Sequence, residues 1–448
     1  MAKAKKKKIT IDEALVSVDE QPYKIPENWC WVKINSVANV YTGNSINERV
    51  KAEKYEGQLK GILFIATKDV DFDNSINYET NVRITDPENF KKAPANTALL
   101  CIEGGSAGKK IGFTNQEVCF GNKLCAFESD KIEPKYIYYF LQSNAFIYQF
   151  NDKKHGLIGG VSVKDLCDIV FPLPPLAEQK RIVEQIENLF TKLDAAREKV
   201  LTVVESFELS KKAIYKKAFE GSLTNRWRAE NGINILDWEK IPFEKLGKLE
   251  RGRSKHRPRN DERLFGGEYP FIQTGDVTGA GMYVTSHKQT LSEFGFEQSR
   301  MFPKGTLCIT IAANIGDAAI LSYDCCFPDS VVGFTPGEKC FNKYMYFYLQ
   351  EIKAELEYIA PATAQKNLNL KLLGKVEIKV PSLKEQEKIV EILEKQINYQ
   401  ESIVEKAENV IETIDMMKKS ILAKAFRGEL GTNVESEESA IELLKSIL

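Results

Sequence analysis

The sequence predicts an α+β protein: two mixed α/β globular domains joined by two long antiparallel coiled-coil helices, arranged as a pseudo-two-fold internal repeat. Three observations predict it. Residues 176–219 align with 383–426 at a constant offset of 207 without a gap, and 17 of the 44 positions are identical, too many for two helices that share only a heptad pattern. The repeat continues outside the helices, since Phe64-Ile65-Ala66-Thr67-Lys68-Asp69-Val70 resembles Phe271-Ile272-Gln273-Thr274-Gly275-Asp276-Val277, and Lys135-Tyr136-Ile137-Tyr138 resembles Lys343-Tyr344-Met345-Tyr346. A repeat this long exceeds the ~20–50 residues of a solenoid unit. The repeated object is therefore a domain plus a long helix.

In chain order the reading is an N-terminal extension at 1–24, a globular domain at 25–174, a long helix with its ends at 175–221, a linker at 222–235, a second domain at 236–381, a second long helix at 382–428 and a tail at 429–448. The lysine run at 3–8 reads as a solvated arm. Apolar runs at 61–66, 98–102 and 307–311, punctuated by Gly and Asn, read as short strands. One helix per domain is expected, at 135–150 and 343–358, with aromatic residues on its inner face. Each long helix is announced by prolines, Pro172, Pro174 and Pro175 before the first and Pro381 before the second, where fixed φ and a missing N–H suit a helix start. Gly221 and Gly428 follow each helix, where a left-handed cap is wanted. Between these limits apolar residues alternate in steps of four and three: Ile182, Ile186, Leu189, Leu193, Ala196, Val200, Val203, Phe207 and, after one polar slot at Ser210, Ile214 in one copy. The other has Ile389, Leu393, Gln396, Gln400, Ile403, Ala407, Val410, Ile414, Met417 and Ile421. That is a coiled-coil seam, and 44 residues at ~1.5 Å each make a rod of about 66 Å. Equal rods, each following its own domain, most simply pair antiparallel. Gln396 and Gln400 fit either a register device or two tolerated polar residues. The tail from 435 reads as an acidic turn before a short amphipathic helix, or as a frayed end.

Composition narrows the chemistry. A net charge of −1 argues against a polycation that coats nucleic acid. Nine cysteines without a Cys-x-x-Cys pair read as reduced thiols, and three scattered histidines argue against zinc. No apolar run is long enough to span a bilayer and no leader-like segment opens the chain, so a cytoplasmic protein without a membrane partner is expected. Gly104-Gly105-Ser106-Ala107-Gly108-Lys109-Lys110 lacks the spacing and the Ser/Thr of a phosphate-binding loop and reads as a turn. No nucleophile elbow or adenine-methyltransferase element is present, so no catalysis is expected. Local charge is more telling: residues 248–260 hold six Lys/Arg against one Glu, with Gly252 and Pro258 keeping the segment a loop. Read alone, such a segment is more simply a solvated loop than a reader, though it also suits one that neutralises phosphates and sets guanidinium forks against guanine edges. Its counterpart at 40–51 is far less basic.

Leu173-Pro174-Pro175-Leu176-Ala177-Glu178-Gln179-Lys180-Arg181-Ile182-Val183, its second copy, the Ala364-Gln365-Lys366-Asn367-Leu368-Asn369 stretch and the order of domains and helices resemble the specificity subunit of type I restriction-modification systems, over residues 25–430. The resemblance implies that each globular half is a target-recognition domain reading one half of a bipartite, asymmetric site on double-stranded DNA. It implies that the paired helices fix the spacer and dock two methyltransferase (modification) subunits, and that restriction/translocase subunits join them. It also implies a non-catalytic chain without cofactor, with S-adenosylmethionine, ATP and magnesium on the partner subunits. The Gln-Lys-Asn-Leu-Asn segment at 365–369 is replaced in the first half by Ile158-Gly159-Gly160-Val161-Ser162, so any contact it makes would be one-sided. Candidate DNA contacts are Lys68, Ser106, Lys109, Lys110, Lys153, Lys154 and His155 in the first half, and Arg251, Arg253, Lys255, Arg257, Arg259, Asn314, Gln365 and Lys366 in the second. The alternative is a coiled-coil adaptor that binds proteins without DNA. That adaptor would show the same helices but would need no divergent basic loops.

Overall fold

The computed structural model describes residues 9–155, 159–360 and 368–448, so the lysine run at 3–8 lies outside the described residues. The chain forms two units, Met1–Val200 with Asn409–Leu448, and Leu201–Glu408. Neither unit is a continuous stretch of one repeat, because each takes the start of one long helix and the end of the other.

The first unit holds a four-stranded antiparallel sheet in the order Asn39–Thr42, Leu124–Glu128, Ala98–Cys101, Ile111–Phe113. A second sheet runs Arg83–Ile84, Ile62–Ile65, Val118–Phe120, Lys92–Ala93, with its central pair parallel. A ribbon of Cys30–Lys33 and Val170–Leu173 closes the domain beside the helix start. The expected strands at 61–66 and 98–102 are thus present, trimmed by a residue or so. The expected helix at 135–150 is two, Pro134–Leu141 and Asn144–Asp152, because the Ser143 hydroxyl takes the Phe146 N–H and starts a second helix where one was expected to continue.

The second unit repeats this plan. Its larger sheet runs Gly247–Arg251, Val331–Pro336, Leu307–Thr310, Ala318–Leu321, with Tyr283–Val284 added at the edge. Its smaller sheet runs Gln289–Leu291, Phe265–Phe271, Cys325–Cys326, Met301–Phe302, and its ribbon pairs Glu239–Pro242 with Glu377–Val380. Here the expected helix at 343–358 is unbroken, Asn342–Ile359.

The long helices are Leu176–Phe219 and Leu383–Ala425. In the first unit Asp194 pairs with Lys418 and Arg197 with Asp415, so moving up one helix moves down its partner: the pairing is antiparallel. In the second unit Lys211 pairs with Glu401 and the Gln400 amide donates to Ser210. The seam is apolar where the globular cores meet it, with Ile182, Ile186, Ile389 and Leu393 fully buried. Farther along, it departs from the expected pattern: Ala196, Val203, Val410 and Met417 are exposed, because two helices without a third neighbour leave one side of each to solvent.

Each long helix ends in the other copy's core. Phe219 packs against Tyr344 and Tyr348 at 5.4 and 4.9 Å, and Phe426 packs against Tyr136 and Phe140 at 5.1 and 5.4 Å. The aromatic stripes of the shorter helices are therefore core. Gly221 at φ +84° and Gly428 at φ +74° then turn the chain out of each helix, in the left-handed region that glycine adopts freely.

The Glu-Gln pair that opens each long helix is wholly buried. Gln179 accepts from the Glu133 N–H at 2.9 Å and donates to the Pro174 carbonyl at 2.8 Å. Gln386 repeats both bonds, to the Phe341 N–H at 2.7 Å and the Pro381 carbonyl at 2.9 Å. Glu178 accepts from the Trp29 indole at 2.7 Å and the Asn433 amide at 2.8 Å, whereas Glu385 accepts from Trp238 at 3.0 Å, Thr224 at 2.7 Å and the buried Arg228 guanidinium at 2.5 Å. The doubled sequence element is thus a pair of knots tying helix start, domain and the segment after the opposite helix.

The tail is not frayed. Ala440–Ile447 is a helix whose Ala440 and Leu444 are fully buried in the first unit, and Arg181 holds Glu437 through two bonds of 2.8 Å. Among the described residues no helix is long and apolar enough to cross a membrane, and no group of three His, Cys, Asp or Glu side chains could hold a metal.

Candidate functional site

In the first unit the candidates fall on three joined segments. Lys68 is exposed on the turn Thr67–Asp69, which Asp69 locks by accepting the Ala66 N–H at 2.8 Å. Lys110 reaches this turn, donating to the Thr67 carbonyl at 3.3 Å with its ammonium 4.8 Å from the Phe72 ring. Ser106 and Lys109 lie on the loop between the strands ending at Cys101 and starting at Ile111, and this loop is pressed onto the ring of Phe150. A Cβ on Gly108, which sits at φ +76°, would lie 2.6 Å from that ring, so only glycine allows the approach. Lys154 covers the same ring at 5.4 Å. His155 exchanges backbone bonds with Gly160 at 3.0 and 3.1 Å and lies 3.8 Å from Asp165. The Asp165 carboxyl sits below the usual carboxylate range, first through the Ser162 hydroxyl and then through His155 and Lys153. The structure therefore brings all seven first-half candidates onto loops that touch through Phe150 and the turn at 67–69.

In the second unit Arg251 ends the strand Gly247–Arg251, and Arg253, Lys255, Arg257 and Arg259 lie on the loop after it. Asp329 gathers three of them: Arg259 binds its carboxylate at 2.7 and 2.9 Å, Arg257 comes within 4.0 Å, and the Arg251 guanidinium donates to its backbone carbonyl. Lys255 is exposed, its backbone N–H held by the Gln298 carbonyl at 3.2 Å. Arg253 differs from all of these. Its Nε is buried without a hydrogen-bond partner among the described residues, and the side chain lines a cleft of about 800 Å³ together with Arg259, Gln273, Gln289 and Gln298. Asn314 is exposed on the loop corresponding to 104–110, donating to Thr278 at 3.2 Å, and so stands apart from the arginine loop. Gln365 and Lys366 lie outside the described residues.

Two features escaped the sequence reading. Beside the arginine loop, Asp261 joins His256 at 2.7 Å and Arg263 at 2.7 Å, and its carboxyl is held far below the usual range, first by Arg263 and then by His256. Phe294 lies against both side chains, 5.2 Å from the His256 ring and 5.3 Å from the Arg263 guanidinium. The cleft glutamines were the other omission. Their signal was available in the repeat itself, where Gln273 stands opposite Ala66 in segments that differ otherwise only at Lys68 and Gly275.

The arrangement offers cations, amides and guanidinium forks on loops above a rigid sheet, which is the equipment of polyanion binding and base-edge recognition. Comparison with known proteins points the same way. Residues 26–205 and 235–413 each match the family described as the type I restriction modification DNA specificity domain. The EcoBI specificity subunit of Escherichia coli is 23% identical over 450 residues, covering 94% of this chain and 92% of that relative. A putative type I restriction enzyme specificity subunit of Methanocaldococcus jannaschii, MjaX, is 25% identical, covering 91% of this chain and 95% of the relative. Among solved structures, a chain from a study of complex assembly and conformational transition in a type I restriction-modification system aligns with a TM-score of 0.74 at 18% identity, over 91% of this chain and all of the other. The HsdS subunit from Thermoanaerobacter tengcongensis aligns with a TM-score of 0.56 at 19% identity, over 92% of this chain and 100% of that one.

Proposed function

The chain belongs to the type I restriction-modification DNA specificity family, and from that membership we propose that it selects a bipartite, asymmetric DNA site for a methylating and cleaving complex. One observation carries the reading: a duplicated scaffold keeps its helix-entrance knots, sheets and aromatic cores while the loops differ between copies. In the second unit Asp329 gathers arginines on a loop whose first-unit counterpart at 40–51 is far less basic, whereas the first unit carries its lysines on other segments, around Phe150. Two like scaffolds with unlike loops suit two unlike half-sites. The lysines neutralise phosphates and position the duplex, and the arginine forks read guanine edges. Asp329 holds Arg259, and the loop carbonyls of Ser254 and His256 hold Arg257, before DNA arrives, so less side-chain freedom is lost on binding.

The paired helices set the spacing between half-sites and dock two methyltransferase subunits, which restriction/translocase subunits join. Support for docking comes from apolar side chains that the helix pair leaves in solvent: Leu209 and Tyr399 in the second unit are 70% and 68% exposed, and Met416 in the first is 61% exposed. Gln396 and Gln400 carry buried carbonyl oxygens without partners among the described residues, beside Tyr399 in a groove of about 320 Å³. S-adenosylmethionine, ATP and magnesium belong to those partners, and this chain contributes recognition rather than chemistry. The complex works in the cytoplasm, on the host's own and incoming DNA.

Mapping methylated adenines across a host genome with and without the chain tests this. One two-part motif should disappear with the chain, and an unchanged methylation pattern overturns the proposal. A binding constant of the assembled complex that does not fall with salt would favour the protein-only adaptor instead.

A further inference from the structure

Gln273 and Gln289 face each other across the smaller sheet of the second unit, the Gln273 amide donating to the Gln289 carbonyl at 2.6 Å. Both line the cleft that Arg253 also lines, with a buried Nε that has no hydrogen-bond partner among the described residues. Their contact uses one NH2 and one carbonyl. It leaves the Gln273 carbonyl and the Gln289 NH2 as an adjacent acceptor and donor. That pair is complementary to the N6 donor and N7 acceptor that adenine shows in the major groove, the edge glutamine side chains are suited to read.

The internal repeat isolates these two residues. Phe271 opposes Gln289 across the strands as Phe64 opposes Val82 in the first unit, where the Phe64 N–H bonds the Val82 carbonyl at 3.0 Å. Gln273 begins a turn locked by Asp276 at 2.8 Å, just as Ala66 begins one locked by Asp69 at 2.8 Å. The backbone device is therefore the same in both copies, while the two cleft positions are Gln and Gln in one and Ala and Val in the other. A fold requirement would keep such residues alike, and a reading requirement would make them differ. We propose that Gln273 and Gln289 act together as specificity-determining residues that read an adenine in the half-site served by the second unit. This rests on the DNA-specificity function proposed above and assigns part of it to two named side chains.

The test places Gln273→Ala with Gln289→Val, the residues that the first unit already tolerates at these positions, in the full chain within its complete complex. Methylated adenines are then mapped in the host genome. The expected result is methylation that persists at wild-type sites and spreads to sites altered at a single A·T pair of one half-site. Discrimination at that pair should fall by about five- to 150-fold, the span of one bidentate base contact. A second variant, Gln289→Glu, replaces the amide donor by an acceptor and should move the preference at that pair toward cytosine, whose N4 group donates. If the double variant does not fold, this second one decides. A motif unchanged at every position in a folded variant overturns the assignment, as does a folded variant that directs methylation nowhere. If the wild-type chain itself directs no methylation, the broader reading falls instead.

Discussion

Glu178 and Glu385 occupy the same place in the two copies, but only Glu385 is hydrogen-bonded to an arginine among the described residues. Glu385 is fully buried against Arg228, itself 4% exposed, so removing the guanidinium would strand a buried carboxylate. Arg228→Ala should cost about 3–5 kcal/mol, read as a lower midpoint in thermal or denaturant unfolding; a loss below about 1 kcal/mol would show that water reaches Glu385 freely. Glu178 is bonded by the neutral donors Trp29, Asn433 and Thr432, and burial raises its carboxyl above the usual range, outweighing those bonds and the charge of Arg181. A carboxyl raised on folding binds its proton more tightly in the native state, so its contribution to stability grows as pH falls from the raised value toward the unfolded value near ~4.3. Glu178→Gln should therefore match or exceed the wild type in stability at neutral pH and lose that advantage on acidification through the carboxylate range. A gap between the two proteins that stays constant with pH would refute the burial of a charged Glu178. The importance of the Glu-Gln element was legible from its exact duplication in sequence, but its reason was not. The indoles that bind the two carboxylates lie 149 and 147 residues away, a distance no local pattern encodes. The candidate DNA contacts are harder still, since Arg253 and Arg257 look alike in a basic loop and only folding buries one Nε and leaves the other side chain exposed. Arg253→Ala and Arg257→Ala in the assembled complex should each weaken binding to its own site by about 1–3 kcal/mol where a base contact is lost. Affinity and methylation both unchanged would remove this loop from the reading surface.

Among elements, those with strong periodicity were legible and those held by tertiary contacts were not. The long helices follow from proline before, glycine after and a three-four apolar stripe between. The strand Phe265–Phe271 carries Gly266, Gly267 and Pro270, which argue against a strand, and it forms because its neighbours Gln289–Leu291 and Cys325–Cys326 supply hydrogen bonds. The tail helix was ambiguous for a related reason: eight residues do not hold a helix alone in water. Burial of Ala440 and Leu444 and the double Arg181–Glu437 bond hold it in place. The Glu437 carboxyl lies below its usual range because Arg181 binds it. Its stabilisation is therefore present above the unfolded value near ~4.3 and is lost as pH falls through the lowered folded value. Arg181→Ala should release the tail by about 0.5–1 kcal/mol, since the pair is partly solvated. Hydrogen exchange of the amides in Ala440–Ile447 should quicken in the variant at neutral pH and in the wild type in acid. Exchange equally slow in both proteins would mean that apolar packing alone anchors the helix.

At the scale of the whole molecule, the duplication has a mechanical consequence that neither domain carries alone. Each unit's core is closed by the start of one long helix and the end of the other, as Phe426 on Tyr136 and Phe219 on Tyr344 show. Neither helix can then be lengthened without disturbing a core or its pairing with the partner. Four residues added to one helix advance it by ~6 Å and leave it ~40° out of phase, since a turn takes 3.6 residues. Placed in Leu176–Phe219 alone, the insertion sets antiparallel partners such as Asp194–Lys418 against an unmatched length. Unfolding of one helix end, loss of assembly or an altered half-site spacing should follow. Matching insertions in both helices keep the pairing and lengthen both by the same ~6 Å, close to two base-pair rises of ~3.4 Å. The paired variant should therefore recover methylation, on a motif whose gap is longer by one or two base pairs while both half-sites keep their sequences. Loss with either single insertion and recovery on a longer gap with both is the signature of helices that measure DNA. If single and paired insertions all methylate the original site, the helices hold the chain together without setting its spacing, and the spacing must arise in the loops or in the partner subunits.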